Sequence, residues 1–381
     1  MNYALVIRDS PNGTEHTLRR QGWPHDATYK LCYDNVSTQP KRDHLLIALR
    51  MNRSMSTKNL SLSDYSVGWI CALDTELVAA KSMLDDIHTL PQIPRGDSNS
   101  YTLGEIAGHN LVIACLPAGH TGNNSAATVA AHLRCTFQAI RYSLMVGIGG
   151  GVPSHTHDIR LGDVVVSQPG KRHGGVVQYD FGRTVANGRF ELDGALNAPP
   201  TSLLTAVSKL KADRTLGVES SVRHYSSAME KHSLGPSFEH QGAENDLLFQ
   251  AGYDHLPDKT SCEDCDRKKV IDRTTRRTTL PTVHHGTIAS GNQVMRHGGT
   301  REKLRQQLEV LCFEMEAAGF MNELPCLVIR GICDYSDTHK FKSWQGYAAM
   351  TAAAYAKELL SAIPVGPRET ETMGLNITAN E

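Results

Sequence analysis

Leu311-Cys-Phe-Glu-Met-Glu-Ala-Ala-Gly-Phe320 and Leu327-Val-Ile-Arg-Gly-Ile-Cys-Asp-Tyr335 decide how the chain folds. Each is a short apolar run that reads as a buried strand and delivers a carboxylate where the strand ends. Glu314 and Glu316 are two apart, so an extended chain directs both to one side, and an Ala-rich helix is expected from Ala317. The second run stops at Asp334, just before polar loop residues. Open α/β sheets place their chemistry at the carboxyl ends of buried strands. The competing reading is structural: Asp334 caps the next segment and the glutamates make salt bridges. Taken alone, each segment favours the structural reading, and the neighbouring sequence has to decide.

Working outward, the folded body starts at Tyr65-Ser-Val-Gly-Trp-Ile-Cys-Ala-Leu73, an apolar strand. It runs into Asp74-Thr-Glu-Leu-Val-Ala-Ala-Lys-Ser-Met-Leu84, where apolar spacing is helical and the first turn is acidic. Residues 101–106 and 110–116 read as a hairpin with Gly108 at the turn. A loop of small and polar residues, 117–125, precedes an Ala-rich helix to about residue 140. Ser143-Leu-Met-Val-Gly-Ile-Gly-Gly-Gly-Val-Pro153 is a strand ending in a glycine cluster, and 161–167 is another strand. Residues 174–183, with Gln178-Tyr-Asp-Phe-Gly182, are loop-like and a candidate part of a site. A helix is expected over 202–211, a strand over 283–291, helices over 300–309 and 346–363. Residues 1–62 read as an irregular extension, with a short helix at 41–50, and 366–381 as a polar tail. The folded body thus spans 63–365. Within it, 212–281 is rich in charge, His, Ser and Pro and lacks periodicity, as a surface insertion would.

Composition narrows the class. The chain has 381 residues, 40% apolar and 21% charged, enough for a sizeable core. A formal net charge of -1 gives no reason to expect nucleic acid or an anionic membrane as partner. Nine cysteines, an odd number and mostly in apolar segments, point to reduced buried thiols in a reducing compartment. Neither a signal sequence nor a membrane span is legible, which places the protein in the cytoplasm or nucleus.

Several motifs carry little by themselves. Gly147-Ile-Gly-Gly-Gly151 lacks the dinucleotide spacing and a following helix, so it reads as a tight turn or a place where backbone passes close to a flat ligand or sugar. Cys262-Glu-Asp-Cys265 has metal-ligand spacing without a second pair. His255, His284 and His285 are the available extra ligands, and a pair of exposed loop thiols is preferred over a zinc site. Arg273, Arg276 and Arg277 read as a solvated basic face, and His120 as a surface histidine. Walker, G-x-S-x-G and H-E-x-x-H signatures are absent.

Four segments in this order resemble one family: Gly68-Trp-Ile-Cys-Ala-Leu-Asp-Thr-Glu76, Val146-Gly-Ile-Gly-Gly-Gly-Val152, Ile288-Ala-Ser-Gly-Asn-Gln-Val-Met295, and Phe313-Glu-Met-Glu-Ala317 with the strand through Arg330 to Asp334. The chain is similar to the nucleoside phosphorylase/nucleosidase superfamily over about 65–363. It most resembles phosphorylase-like domains of filamentous fungi, and is also similar to methylthioadenosine/S-adenosylhomocysteine nucleosidases. The resemblance implies an α/β fold, a three-layer α/β/α sandwich around a mixed, partly barrel-like sheet, assembled as a homo-oligomer. It implies a small-molecule purine nucleoside as partner, with water as co-substrate and no cofactor or metal. Asp334 would protonate the purine imidazole, Glu316 hold the ribose hydroxyls, and Glu76 position and activate water. Val294 and Met295 would lie against the base and Met315 against the sugar. Gly147, Gly149, Glu314 and Phe181 complete the expected substrate-binding set, Glu314 in a supporting place.

These assignments suit the chemistry. Breaking an N-glycosidic bond builds oxocarbenium character at the sugar and negative charge on the departing base, so an acid at the base and oriented carboxylates at the sugar and water all help. Phosphorylases of the bacterial type hold phosphate with arginines and a serine at places that here resemble 74–76, Met145 and Ile148. Acidic and apolar residues there lack the bidentate guanidinium fork a dianion needs, and hydrolysis is expected. Cys333 replaces the serine that commonly precedes the catalytic aspartate, which alters the hydrogen bond orienting Asp334. The alternatives are a phosphate-dependent phosphorylase, a nucleotide nucleosidase using Lys171, Arg172 or the insertion, and a non-catalytic nucleoside sensor of the kind fused to fungal signalling proteins.

Overall fold

The computed structural model describes residues 2–8, 15–21 and 60–365, apart from 219, 260 and 341. The chain divides into two compact units, Met1–Ser54 and Met55–Glu381. In the first, β1 (Asn2–Arg8) and β2 (Glu15–Gln21) pair antiparallel, from Asn2 opposite Gln21 to Arg8 opposite Glu15. Strand pairing therefore occurs where irregular chain was expected. The helix expected at 41–50 and the 366–381 tail lie outside the described residues.

The second unit opens with the strand-to-helix step of the sequence: β3 (Val67–Cys71) and α1 (Asp74–Ser82). After β4 (Asp86–Ile87), the hairpin β5 (Tyr101–Ile106) and β6 (His109–Cys115) turns at Ala107 and Gly108. Both turn residues have positive φ, 51° and 84°, as a two-residue hairpin turn requires. Then come α2 (Asn123–Thr136), β7 (Tyr142–Gly151), β8 (Val164–Ser167), β9 (Val176–Gln178), β10 (Gly182–Thr184) and β11 (Phe190–Leu192). The chain continues with α3 (Thr201–Thr215), α4 (Ser221–His232), β12 (Val283–Ser290), α5 (Gly298–Leu308) and β13 (Val310–Glu314). It closes with α6 (Ala317–Met321), β14 (Leu327–Asp334) and α7 (Gln345–Ala362).

One 10-stranded mixed sheet runs β13-β12-β8-β14-β7-β3-β6-β5-β4, with β9 beside β12. β13 also pairs antiparallel with β7, Cys312 opposite Gly151 and Phe313 opposite Gly150, so β13, β12, β8, β14 and β7 close on themselves as a partial barrel. Period-two alternation splits the sheet between two cores. Val67, Trp69, Cys71, Leu111 and Ile113 face a layer in which Ala79 and Ala80 of α1 join α3, α4 and the alanine-rich α7. Ile70, Val112, Ala114, Met145 and Val328 face α2 and α6 through Val129, Leu133, Phe320 and Met321. These are the three layers of an α/β/α sandwich. The site grows where the barrel seam meets the strand ends.

Three expectations change. The Gly147-to-Gly151 cluster is not a turn but the second half of β7, paired with β14 and β13. The 212–281 segment is more than a surface excursion. It contains α4, which packs against α7 and α1, and Phe249 bridges Val270 with its side chain fully buried. Nor do Arg273 and Arg276 form a solvated face. Arg276 grips both oxygens of Asp163 at 2.7 Å, and Arg273 donates to Tyr335 Oη and Asp246 O at 3.0 Å. Burial raises the carboxyl of Asp163, but hydrogen bonds from Arg276 and His284 outweigh it and hold the group below its usual range. The arginines pin the segment to the sheet rather than face solvent.

Candidate active site

Four elements end around one cavity of about 220 Å³. The β3–α1 turn supplies Glu76, and β7 supplies Ile148, Gly149 and Gly150. The β13–α6 step supplies Phe313 to Glu316, and the end of β14 supplies Cys333 and Asp334. The chain after β12 adds Gln293, Val294 and Met295, with Val294 49% exposed at the mouth. Glu76 and Asp334 converge because β3, β7 and β14 are parallel neighbours whose carboxyl ends point the same way, while Glu314 and Glu316 arrive from β13, which runs antiparallel to β7 across the barrel seam.

At their centre lies a residue the sequence left unassigned. Arg330 is 1% exposed in β14, an arginine inside an otherwise apolar strand. It forms a tight ion pair with Glu314, and lies 3.7 Å from Glu316 and 4.0 Å from Glu76. One buried cation thus meets three buried acids. Glu314 is further bound by the N–H groups of Glu316 at 3.1 Å and Ala317 at 3.0 Å, so it caps α6 and holds Arg330. Gly147 does not line the cavity. A side chain there would collide with Glu76 Oε1 and Arg330, so its glycine is what lets those two meet.

Glu76, 3% exposed, accepts the N–H groups of Ala72 and Leu73 on Oε2, at 2.7 and 3.0 Å, and that of Ile148 on Oε1 at 2.7 Å. Burial still pushes its carboxyl up, against Arg330 and these amides. Glu316 accepts from Gly122 N at 3.3 Å, at the start of α2, and is pushed up to about 7. Burial is the main cause, Arg330 opposes it, and Glu314 and Glu76 add to it. A side-chain relay fixes this wall: Asn123 Oδ1 accepts from Gly319 N at 3.1 Å and Ser290 Oγ at 3.3 Å, and Ser290 Oγ accepts from Ala318 N at 2.9 Å.

Opposite stands Asp334, 3% exposed. Its Oδ1 accepts Ser336 N–H at 2.9 Å, and its Oδ2 meets Lys340 Nζ at 2.9 Å. The Cys333 thiol donates to Oδ2 at 3.2 Å, the place a serine hydroxyl would take. Asp334 and Cys333 hold the Lys340 ammonium charged, against the opposing effect of burial. Among the described residues lining the cavity, Lys340 is the one cation, and it is engaged by Asp334.

The structure therefore gathers Asp334, Glu76, Glu316, Glu314, Met315, Val294, Met295 and Gly149 about one space. Gly147 stands behind it. Phe181 is outside: it is 56% exposed beside Gly194, and its neighbour Asp180 instead braces the Asn292 N–H at 2.6 Å. His120 is exposed, and its neighbour Thr121 lines the cavity. Arg330 had a legible signal, since a charge in a buried strand requires partners. Lys340 had none, lying in an aperiodic loop.

The sequence profile of the phosphorylase superfamily matches residues 66–361, and the chain belongs to that superfamily. It is 47% identical over 306 residues to a nucleotide-binding leucine-rich repeat-like protein of Hyaloscypha variabilis, covering 80% of this chain. The chain spans only 30% of that relative's length. It is 24% identical over 312 residues to a 5'-methylthioadenosine/S-adenosylhomocysteine nucleosidase of Mycobacterium bovis, covering 79% of this chain and 97% of that one. In fold it resembles the Neisseria meningitidis nucleosidase of the same name, solved with methylthio-immucillin-A (TM-score 0.50, 19% identity, 78% and 99% covered). It also resembles the futalosine hydrolase of Helicobacter pylori (TM-score 0.51, 15% identity, 79% and 99% covered). The chain thus has the fold of a nucleosidase.

Proposed function

We propose that the chain hydrolyses the N-glycosidic bond of purine nucleosides, giving free base and ribose. The observation that carries this is the convergence of Glu76, Glu316 and Asp334 on one cavity whose sole lining cation among the described residues is already paired. The sugar lies on the Glu316 side, its hydroxyls donating to that carboxylate, with Met315 beneath it. The base lies toward Met295 and Val294, with its imidazole nitrogen at Asp334. The bond from the anomeric carbon to the base breaks with its electron pair leaving on the base. A proton from the Lys340 ammonium passes by way of the Asp334 carboxylate to the base nitrogen. Water, losing its proton to Glu76, adds to the anomeric carbon. A phosphate dianion would face Glu76, Glu314 and Glu316 with no unpaired cation lining the space among the described residues, which favours water. Chromatography of a panel of purine nucleosides and nucleotides after incubation with the protein tests the reading, and free base is the expected product.

A second reading rests on the Hyaloscypha relative, a nucleotide-binding leucine-rich repeat-like protein more than twice the length of this chain. Here the same cavity would bind a nucleoside as a signal and leave it whole. Tight binding of a nucleoside with no base released from any member of the panel would favour that reading.

The Glu316 carboxyl, pushed up to about 7, gives this pocket a pH signature. Ribose hydroxyls donate to the charged carboxylate and favour it, so binding strengthens as Glu316 ionises. Affinity for an uncharged, non-hydrolysable nucleoside analogue rises roughly tenfold from about pH 6 to about pH 8. Calorimetric titration reads it, and Glu316→Gln flattens the curve. In stability the sign reverses. The folded-state pKa lies above the ordinary 4.5, so the unligated protein loses stability as pH rises from 4.5 through about 7.

A further inference from the structure

The 212–281 segment holds a cluster that the nucleoside cavity does not use. Cys262 and Cys265 face each other across a turn closed by Cys265 N–H donating to Cys262 O at 3.2 Å. His255 reaches the same point, and one ligand atom from each of the three lies within 4.8 Å of the others. The thiols are not the exposed pair the sequence suggested: Cys265 is 4% exposed and Cys262 half-buried. His284, once a candidate ligand, is instead bound to Asp163 at 2.9 Å.

A second observation comes from the other side of the cluster. The side chain of His339, five residues beyond Asp334, is 3% exposed, yet neither ring nitrogen makes a hydrogen bond. Its nearest acid, Asp337, is 3.5 Å from Nδ1. The ring stacks on Phe249 at 4.0 Å and stands edge-on to His255, ring centres 5.5 Å apart. Two imidazoles on one tetrahedral zinc place their ring centres about 5 Å apart. A buried imidazole whose ring nitrogens make no hydrogen bond is under-satisfied, and a metal bond removes that deficit.

We propose that His255, Cys262 and Cys265, completed by the neighbouring His339 turning in as fourth ligand, form a structural site for a borderline-soft divalent cation, zinc, that clamps the insertion onto the loop that follows Asp334 and carries Lys340. Two thiolates and two imidazoles are a closed tetrahedral set, the kind that stabilises a fold and leaves no position for a reacting water. Outer contacts already hold the ligands, as they do in metal centres. His255 Nε2 lies 3.0 Å from Ser261 O, and the His255 backbone N–H donates to Thr338 Oγ1 at 2.8 Å, between Asp337 and His339. Thr338 in turn donates to Asp254 at 3.2 Å. The site thus joins two stretches, 254–265 and 337–339, that are distant in sequence. It does not depend on which nucleoside, if any, the cavity turns over.

The test is elemental analysis of the full-length protein, purified under reducing conditions in zinc-supplemented medium and freed of loose metal. Stoichiometric zinc is expected, falling at least tenfold in Cys262→Ser/Cys265→Ser and strongly in His339→Ala. Should the variants fail to fold, wild-type protein stripped with a chelator answers the same question. On addition of cobalt(II) it is expected to show thiolate-to-metal charge-transfer absorption and tetrahedral bands, and its melting temperature is expected to rise again with zinc. Wild-type protein that binds neither zinc nor cobalt, zinc that survives loss of both thiols, or a Cys262–Cys265 disulfide in the reduced preparation would each overturn the proposal.

Discussion

Asp334→Asn is expected to lower base release by roughly 10²–10⁴-fold, the contribution of a positioned general acid, while the protein keeps its fold. Asparagine fills the same volume and its oxygen still accepts the Ser336 N–H, so the end of β14 stays in place. What it loses is the carboxylate that meets Lys340 and the Cys333 thiol, and with it the proposed route for a proton to the base. Affinity for a nucleoside analogue should change far less than turnover, because the proposed sugar contacts lie with Glu316. Steady-state kinetics beside circular dichroism separates the two effects. Unchanged turnover in a folded variant would remove Asp334 from the chemistry.

The largest stability effect is expected at Arg330. Arg330→Met replaces the cation with an apolar chain of similar length but strands three buried carboxylates against one another. Removing one partner of a buried ion pair costs about 3–5 kcal/mol. The cost depends on pH. Glu76 and Glu316 already sit above their ordinary 4.5, and loss of the cation that lowers them pushes both further up. The variant is therefore most destabilised near neutral pH and above, and recovers as acid neutralises the glutamates. Denaturant melts of wild type and variant at several pH values measure this. Adding Glu314→Gln to Arg330→Met should restore part of the loss at neutral pH. A deficit that is the same at every pH would mean that Arg330 acts through packing alone.

Much of this architecture was legible in the sequence, and for definite reasons. The β3–α1 step, the β5–β6 hairpin and the alanine-rich α7 each have a strong local pattern, and resemblance to a known family ordered them into one sheet. Glu76, Glu316, Met315, Val294 and Met295 meet about one cavity with Asp334 because each stands at a strand end or just beyond it.

What the sequence hid is of two kinds. Some features are non-local. The β13–β7 pairing that closes the barrel joins Phe313 to Gly150 across more than 160 residues, and it turns an apparent glycine turn into strand. Lys340 reaches Asp334 from a loop without periodicity. Phe181 looked like part of a site because aromatic and polar residues crowd 178–182, yet it stands just before the small β10–β11 pair and is exposed. Others lack an apolar pattern. In α4 the apolar stripe is narrow, Ala228 being buried and Tyr225 and Met229 packed at the edge of the core, and it is easily lost among the polar residues of the insertion. The insertion is held by Arg273, Arg276, Asp163 and Asp246, residues whose charge reads as surface until their partners are known.

The central claim is that water, not phosphate, attacks the sugar in a cavity walled by acids. Its most direct measurement is the rate and product of base release from a purine nucleoside in phosphate-free buffer and again with phosphate added. The account predicts equal rates and free ribose in both. A strict phosphate requirement with ribose-1-phosphate as product would contradict it.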